Sequence, residues 1–85
     1  MLPASRWANS VSAETTTIAD AKVLRRIIIN TGVANGTVIV TDTAGATIAV
    51  IDAAATSVGY QYDIVVHGLS VVTDDNALDV TVTFD

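Results

Sequence analysis

The sequence predicts an all-β protein: an antiparallel β-sandwich of about seven strands, jelly-roll-like, with an extended N-terminal arm. The 85 residues include 13 Val, 8 Ile and 12 Thr, and such β-branched side chains are stiff at χ1 and pack well on a pleated sheet. Glycine, asparagine and aspartate divide the chain into segments of strand length, as in sandwiches and barrels. The chain has no cysteine, so no disulfide supports this fold.

The first part of the chain divides into an arm and an edge strand. Residues 1–10 carry no strand pattern, and Pro3 cannot donate to a sheet ladder. We therefore expect an arm over residues 1–10 and a single sandwich domain over residues 11–85. The threonine-rich segment from Val11 to Ala19 has few apolar residues, which is typical of an edge strand.

The segment from Lys22 to Thr31 places apolar side chains on both faces of one strand. An antiparallel strand with one solvated face does not do this. Ile27, Ile28 and Ile29 are therefore predicted to lie in an oligomer interface, or under a covering arm. A domain this small is marginally stable without disulfides or a metal, which also favours an oligomer.

Alternation and turn residues predict the other five strands. Asn35-Gly36 suits a tight connection before the third strand, and the third and fourth strands form a hairpin. The fifth strand is predicted to bury Val58, Tyr60, Tyr62 and two aliphatic residues on one face. The predicted ranges are Thr37 to Asp42, Thr47 to Asp52, Ser57 to His67, Leu69 to Asp74 and Leu78 to Asp85.

The charge distribution narrows the range of partners. The net charge is −5, and all four basic residues lie within the first 26 positions. An acidic chain lacks the basic face that phosphate binding requires, so nucleic acid is not expected as a partner.

The apolar runs are far shorter than the roughly 20 residues of a membrane helix, and residues 1–7 lack the apolar core of a secretory signal. An intracellular product is expected.

Four residues are predicted to bind a partner protein or a neighbouring subunit: Arg6, Trp7, Arg25 and Arg26. Two alternatives are open for the Trp7 side chain: it packs against its own domain, or it binds in a pocket of a partner. Arg6 beside it could contact an acidic neighbour. Arg25 and Arg26 are adjacent in a strand, so they are expected to point to opposite faces, one of them to a neighbour. The alternative is a surface charge whose stem covers apolar residues.

No constellation of residues predicts catalysis. His67 is the only histidine, with Asp63 its nearest partner, and no nucleophile elbow or phosphate loop is present. The chain is therefore predicted not to be an enzyme, with no cofactor. Asp74, Asp75 and Asp79 are a weak calcium candidate because calcium prefers several oxygen ligands, although aspartate is also an ordinary turn residue.

Five segments between about residues 20 and 85 resemble small β-sandwich proteins encoded among the virion genes of tailed bacteriophages. They share a strand of hydrophobic residues interrupted by arginine, a Gly-Thr-Val strand, an Ile-Asp strand end, a Tyr-Asp strand with a Gly-Leu turn, and an Asp-Val-Thr-Val strand. The matching segments are Lys22 to Thr31, Gly36 to Asp42, Ile48 to Asp52, Tyr62 to Leu69 and Asp79 to Thr83.

The resemblance implies a structural role on the virion. The expected function is a capsid decoration or cement subunit, in this case a homotrimer, which is made in the host cytoplasm and binds the major capsid protein on the capsid exterior. Arg6, Trp7, Arg25 and Arg26 are then the candidate contacts to the capsid or to a neighbouring subunit. The alternative is a receptor- or carbohydrate-binding module of a tail or spike, with Trp7, Tyr60 and Tyr62 as stacking residues. The alternation of the fifth strand weakens this alternative because it directs both tyrosines to the core.

Overall fold

The computed structural model describes residues 6–85, which form eight β-strands in two four-stranded antiparallel sheets. This confirms the all-β prediction, with eight strands instead of seven. Sheet A has the strand order β1-β8-β3-β6, and sheet B has the order β2-β7-β4-β5. The strands are β1 (Arg6–Val11), β2 (Glu14–Ile18), β3 (Val23–Thr31), β4 (Thr37–Thr41), β5 (Thr47–Asp52), β6 (Val58–Val65), β7 (Leu69–Thr73) and β8 (Asp79–Phe84).

The strand pairing is nested. The first strand pairs with the eighth, the second with the seventh, the third with the sixth and the fourth with the fifth. Two further pairings, β3 with β8 and β4 with β7, join these pairs into the two sheets. The two sheets pack into a sandwich whose Cα atoms extend over 36 × 31 × 16 Å, so the molecule is thin and has two broad faces.

The core lies between the sheets and consists of aliphatic side chains and one phenylalanine. Alternation along β3 directs Leu24, Ile27 and Ile29 into this core, where they are at most 1% exposed. Ile28 points to the other side of sheet A and is half-buried. The prediction that all three isoleucines form an oligomer interface is therefore wrong for Ile27 and Ile29, and the predicted homotrimer loses most of the apolar surface on which it depended.

The N-terminal boundary of the sandwich differs from the prediction. Residues 6–10 were expected to belong to an arm, but Arg6–Val11 is strand β1, hydrogen-bonded along β8 at the edge of sheet A. The rest of the predicted arm, residues 1–5, lies outside the described residues. Within residues 6–85 no helix is long and apolar enough to cross a membrane.

The predicted first strand is interrupted at Ser12, where the chain passes from sheet A to sheet B. Ser12 has a φ of 66°, and its amide donates to the carbonyl of Leu78. The hydroxyl of Thr73 donates to the carbonyl of Ser12, so the corner is held by both sheets. The buried hydroxyl of Ser10 also pairs with that of Thr16 at 3.0 Å. Side-chain hydrogen bonds thus stabilise a corner with few apolar residues.

We predict that two adjacent isoleucines differ in their contribution to stability. Ile27→Ala creates a cavity in the core and should lower the free energy of unfolding by about 2–5 kcal/mol. Ile28→Ala removes a half-buried contact on the outside of sheet A and should cost about 1 kcal/mol or less. Urea denaturation followed by circular dichroism measures both values. Equal losses would contradict the assignment of Ile27 to the core and Ile28 to the outer surface.

Candidate partner-binding surface

The solvent side of sheet A carries an ordered array of polar side chains with one tryptophan. The strand registers place Trp7 of β1 opposite Thr83 of β8, Thr83 opposite Arg26 of β3, and Arg26 opposite Gln61 of β6. These four residues form one cross-strand row, here called the Trp7 row. The whole array is called the sheet A outer face and consists of Trp7, Asn9, Arg25, Arg26, Ile28, Asn30, Gln61, Asp63, Asp79, Thr81 and Thr83.

A β-bulge brings Arg25 and Arg26 to the same face. Along β3 the register advances by two residues from Leu24 to Arg26, while β8 advances by only one, from Phe84 to Thr83. Such a bulge re-aims a side chain, because two residues oppose one. Both arginines accordingly line one shallow depression of about 280 Å³ on the sheet A outer face. The prediction that they point to opposite faces is therefore wrong.

Arg25 is held in place by two carboxylates. Its Nε and Nη2 atoms each lie 2.7 Å from Oδ2 of Asp85, and its Nη1 lies 3.5 Å from Oδ1 of Asp63. The hydrogen bond with Asp85 raises the pKa of Arg25. This arginine is thus charge-compensated and orders the depression.

Arg26 has a different environment. Its Nη2 lies 3.3 Å from Oε1 of Gln61, to which it donates. Gln61 in turn donates to Oδ2 of Asp63 at 2.6 Å, which fixes the orientation of its amide. Among the ion pairs of residues 6–85, none involves Arg26. Its positive charge remains available to an external carboxylate, which it can bind through two parallel N–H groups.

A second group of hydrogen bonds makes the neighbouring part of the face rigid. The side-chain amide of Asn9 donates to Oδ1 of Asp79 at 2.6 Å, and that of Asn30 donates to the same oxygen at 3.1 Å. Asn30 also donates to the hydroxyl of Thr81 at 2.8 Å. These bonds connect β1, β8 and β3 on the solvent side, so the polar groups beside the Trp7 row have fixed directions.

Trp7 and Arg6 lie in different environments although they are adjacent in sequence. Trp7 is 68% exposed on the sheet A outer face, so it does not pack into the core of its own domain. Arg6 instead forms an ion pair with Asp20 at 2.7 Å and lies 4.7 Å from the ring centroid of Phe84. The hydrogen bond from Arg6 lowers the pKa of Asp20. Arg6 thus holds the edge of the sandwich and does not share a surface with Trp7.

The aspartates of the calcium candidate do not converge on one point. Asp74 accepts a hydrogen bond from the amide of Thr37 at 2.7 Å, and Asp75 accepts one from the amide of Ala77 at 2.9 Å. Asp79 belongs to the asparagine network of the sheet A outer face. In the part of the chain that the structure describes, no group of three His, Cys, Asp or Glu side chains could hold a metal ion.

Four residues of this surface were not predicted as site residues: Asn9, Asn30, Gln61 and Thr83. The reason is that a single polar residue in a strand does not indicate a binding site. One signal was present in the sequence. The alternation of β3 is interrupted by two adjacent arginines between Leu24 and Ile27, and an interrupted alternation is the pattern that a β-bulge produces.

No family model matches the chain, and no match was found among the curated proteins or the solved structures with which it was compared. The resemblance to virion proteins of tailed bacteriophages remains a prediction from the sequence.

We predict that Asp63 contributes to stability mainly through its backbone conformation. Its φ of 52° lies in the left-handed region, which costs most residues about 1–2 kcal/mol and is tolerated by asparagine and aspartate. Asp63→Ala should therefore lower the free energy of unfolding by about 1 kcal/mol, whereas Asp63→Asn should retain most of it. Urea denaturation measures both. An equal loss in the two variants would assign the effect to the lost charge.

Proposed function

We propose that this chain is a structural virion protein that decorates and cements the capsid of a tailed bacteriophage, binding the major capsid protein through the sheet A outer face. The observation that carries the proposal is the Trp7 row. It presents an exposed tryptophan and an arginine with no carboxylate partner in residues 6–85, on one rigid sheet face. Tryptophan and arginine are enriched among the residues that dominate protein–protein binding energy.

The strand order supports a jelly-roll assignment, which is part of this proposal. Nested pairing of the first strand with the eighth, through to the fourth with the fifth, is the pattern of a long antiparallel ribbon folded over on itself. Double-sheet jelly rolls with eight strands are used by viral capsid and lectin domains. The architecture therefore suits a subunit on the capsid exterior.

The chemistry of the face favours binding of a protein partner. An exposed tryptophan gains free energy when a partner covers it, because its large ring is removed from water. The fixed amides and hydroxyls around it offer hydrogen bonds without a large loss of side-chain entropy, since Asn9, Asn30 and Gln61 are already oriented. An acidic group on the capsid protein would pair with Arg26. The subunit would stabilise the shell by binding only its assembled form.

One observation favours a second candidate, a carbohydrate-binding module. A sugar ring stacks on an aromatic face and its hydroxyls bind amide groups, and Trp7 has the amide of Asn9 two residues away on the same face of β1. The tyrosines predicted to assist do not lie on this face. Tyr60 and Tyr62 are half-buried against the core, and burial raises the pKa of Tyr62. A single exposed aromatic ring makes this candidate the weaker one.

We predict that Trp7→Ala and Arg26→Glu each weaken binding to empty capsids of the cognate phage by about tenfold or more. Cosedimentation of purified subunit with expanded shells gives the dissociation constant. Lys22→Glu is the matched control, because Lys22 is an exposed cation outside the sheet A outer face. Binding should also weaken as salt rises, since salt screens the Arg26 contact.

Unchanged binding by both variants, or an equal effect of Lys22→Glu, would reject the sheet A outer face as the capsid contact. Retention of specific glycans by the wild type, abolished in Trp7→Ala, would instead support the carbohydrate candidate. Deletion of residues 1–10 is a poor test. It removes most of β1 and exposes the edge of β8, so it changes the fold together with the surface.

A further inference from the structure

We propose that the solvent side of sheet B is a self-association surface, on which two copies of this chain pack face to face. This inference does not rest on capsid binding, because it concerns the opposite side of the sandwich. The surface is called the sheet B outer face and consists of Thr15, Thr17, Thr37, Ile39, Thr41, Thr47, Val50, Ser70 and Val72.

An apolar stripe crosses this face from one edge to the other. The registers place Thr15 of β2 opposite Val72 of β7, Val72 opposite Ile39 of β4, and Ile39 opposite Val50 of β5. Val50 is 64% exposed and Ile39 is 37% exposed. Four strands span about 14 Å at a spacing of about 4.8 Å, so the stripe is a continuous band of β-branched side chains and not a single exposed residue.

The face carries almost no charge. Its outward positions are threonine, serine, valine and isoleucine. The nearest carboxylates are at one end of the face: Asp52 at the end of β5, and Asp74, which accepts a hydrogen bond from the amide of Thr37. Covering the centre of the face would therefore bury no unpaired charge, which is the main cost of burying a protein surface. The threonine methyl groups add apolar area, while their hydroxyls can hydrogen-bond across an interface.

The charge of the whole chain indicates that the occupant is a second copy. Each molecule carries a net charge of −5, so two copies repel each other least when they meet through a surface whose centre carries no carboxylate. An isologous interface also requires a surface compatible with itself, and an uncharged β-branched face meets that requirement. A second copy on the sheet A outer face would instead have to desolvate the charged groups of Arg26, Asp63 and Asp79. The centre of the sheet B outer face has no charged groups that could attract a different protein by charge complementarity.

The dimensions are sufficient for a stable dimer. Each broad side of the sandwich measures about 36 × 31 Å between Cα atoms, and a standard interface needs about 800 Å² from each partner. Sheets pack face to face at about 10 Å through interdigitating side chains of this type. The resulting dimer would direct its two sheet A outer faces away from each other, so each would remain free for a partner.

Sedimentation equilibrium over a concentration series tests the proposal. The wild type should dimerise, and Val50→Asp should raise the dissociation constant by about tenfold or more because it places two carboxylates in an apolar contact. Val65→Asp is the matched control, since Val65 is also a highly exposed valine, 78% accessible, on the β6 strand of sheet A. It should leave dimerisation unchanged. Higher salt should strengthen the dimer by screening repulsion between acidic chains, which is the opposite of the salt effect expected for capsid binding.

Circular dichroism and urea denaturation would establish that each variant is folded. If Val50→Asp does not fold, Ile39→Thr replaces it, because this change keeps a β-branched side chain and removes apolar area from the same stripe. Weaker dimerisation in either folded variant, with the Val65→Asp control unaffected, supports the proposal. A wild type that stays monomeric throughout, or an assembly of any size that both sheet B variants leave intact, would overturn it. Neither result bears on the capsid-binding experiment.

Discussion

The antiparallel pairing of β3 with β8 is the interaction on which the rest of sheet A depends. These are the two central strands, and β6 and β1 are attached to the sheet only through them. The pairing also sets which side chains reach solvent, because it contains two irregularities, between Leu24 and Arg26 and between Ile29 and Thr31. The first turns both arginines outward. The second lies beside Asn30, which bonds to Asp79 on the solvent side.

The two broad sides of the sandwich differ in chemistry, and the molecule is too thin to hold a site between them. With an extent of 16 Å along its shortest axis, the interior holds one layer of interdigitated side chains. Any site must therefore be on a face or an edge. On sheet A, most outward positions carry amides, carboxylates, hydroxyls and guanidinium groups, many of them hydrogen-bonded to one another, beside the apolar side chains of Trp7 and Ile28. On sheet B, they carry mostly threonine and valine. The proposed functions follow this division, with directional polar contacts on one side and apolar contact on the other.

The sequence predicted the parts of the fold that depend on side-chain alternation. The segments assigned to β4, β5, β7 and β8 agree with the structure to within one or two residues. In β4, β7 and β8 the reason is that more buried and less buried positions alternate without interruption. The N-terminal part was not predicted, since β1 contributes only Ala8 and Ser10 to the interior. A strand with so little apolar content is held mainly by its ladder with β8, and no local pattern reveals a partner more than 60 residues away.

The candidate site could be predicted only in part, because local sequence patterns do not reveal which distant strands lie side by side. Trp7, Arg25 and Arg26 were identified by residue type, and each lies on the sheet A outer face. That they share a face follows from the bulge at Arg25 and Arg26 and from strand registers between distant segments. Arg6 was assigned to the same site by its position beside Trp7, but adjacent residues in a strand point to opposite sides. Its interaction with Asp20 required the three-dimensional structure.

Nested pairing imposes an order on folding. The β4–β5 hairpin closes a loop of a few residues, whereas β1 and β8 are separated by most of the chain, and loop-closure entropy makes such distant contacts the slowest to form. The outermost strand is therefore expected to dock last and to open first. Because Trp7 lies on that strand, the complete binding surface exists only once the chain has finished folding. A partner that binds Trp7 would therefore stabilise the pairing of β1 with β8, the least stable contact of the sandwich. It would also bind fully folded subunits in preference to partly folded ones.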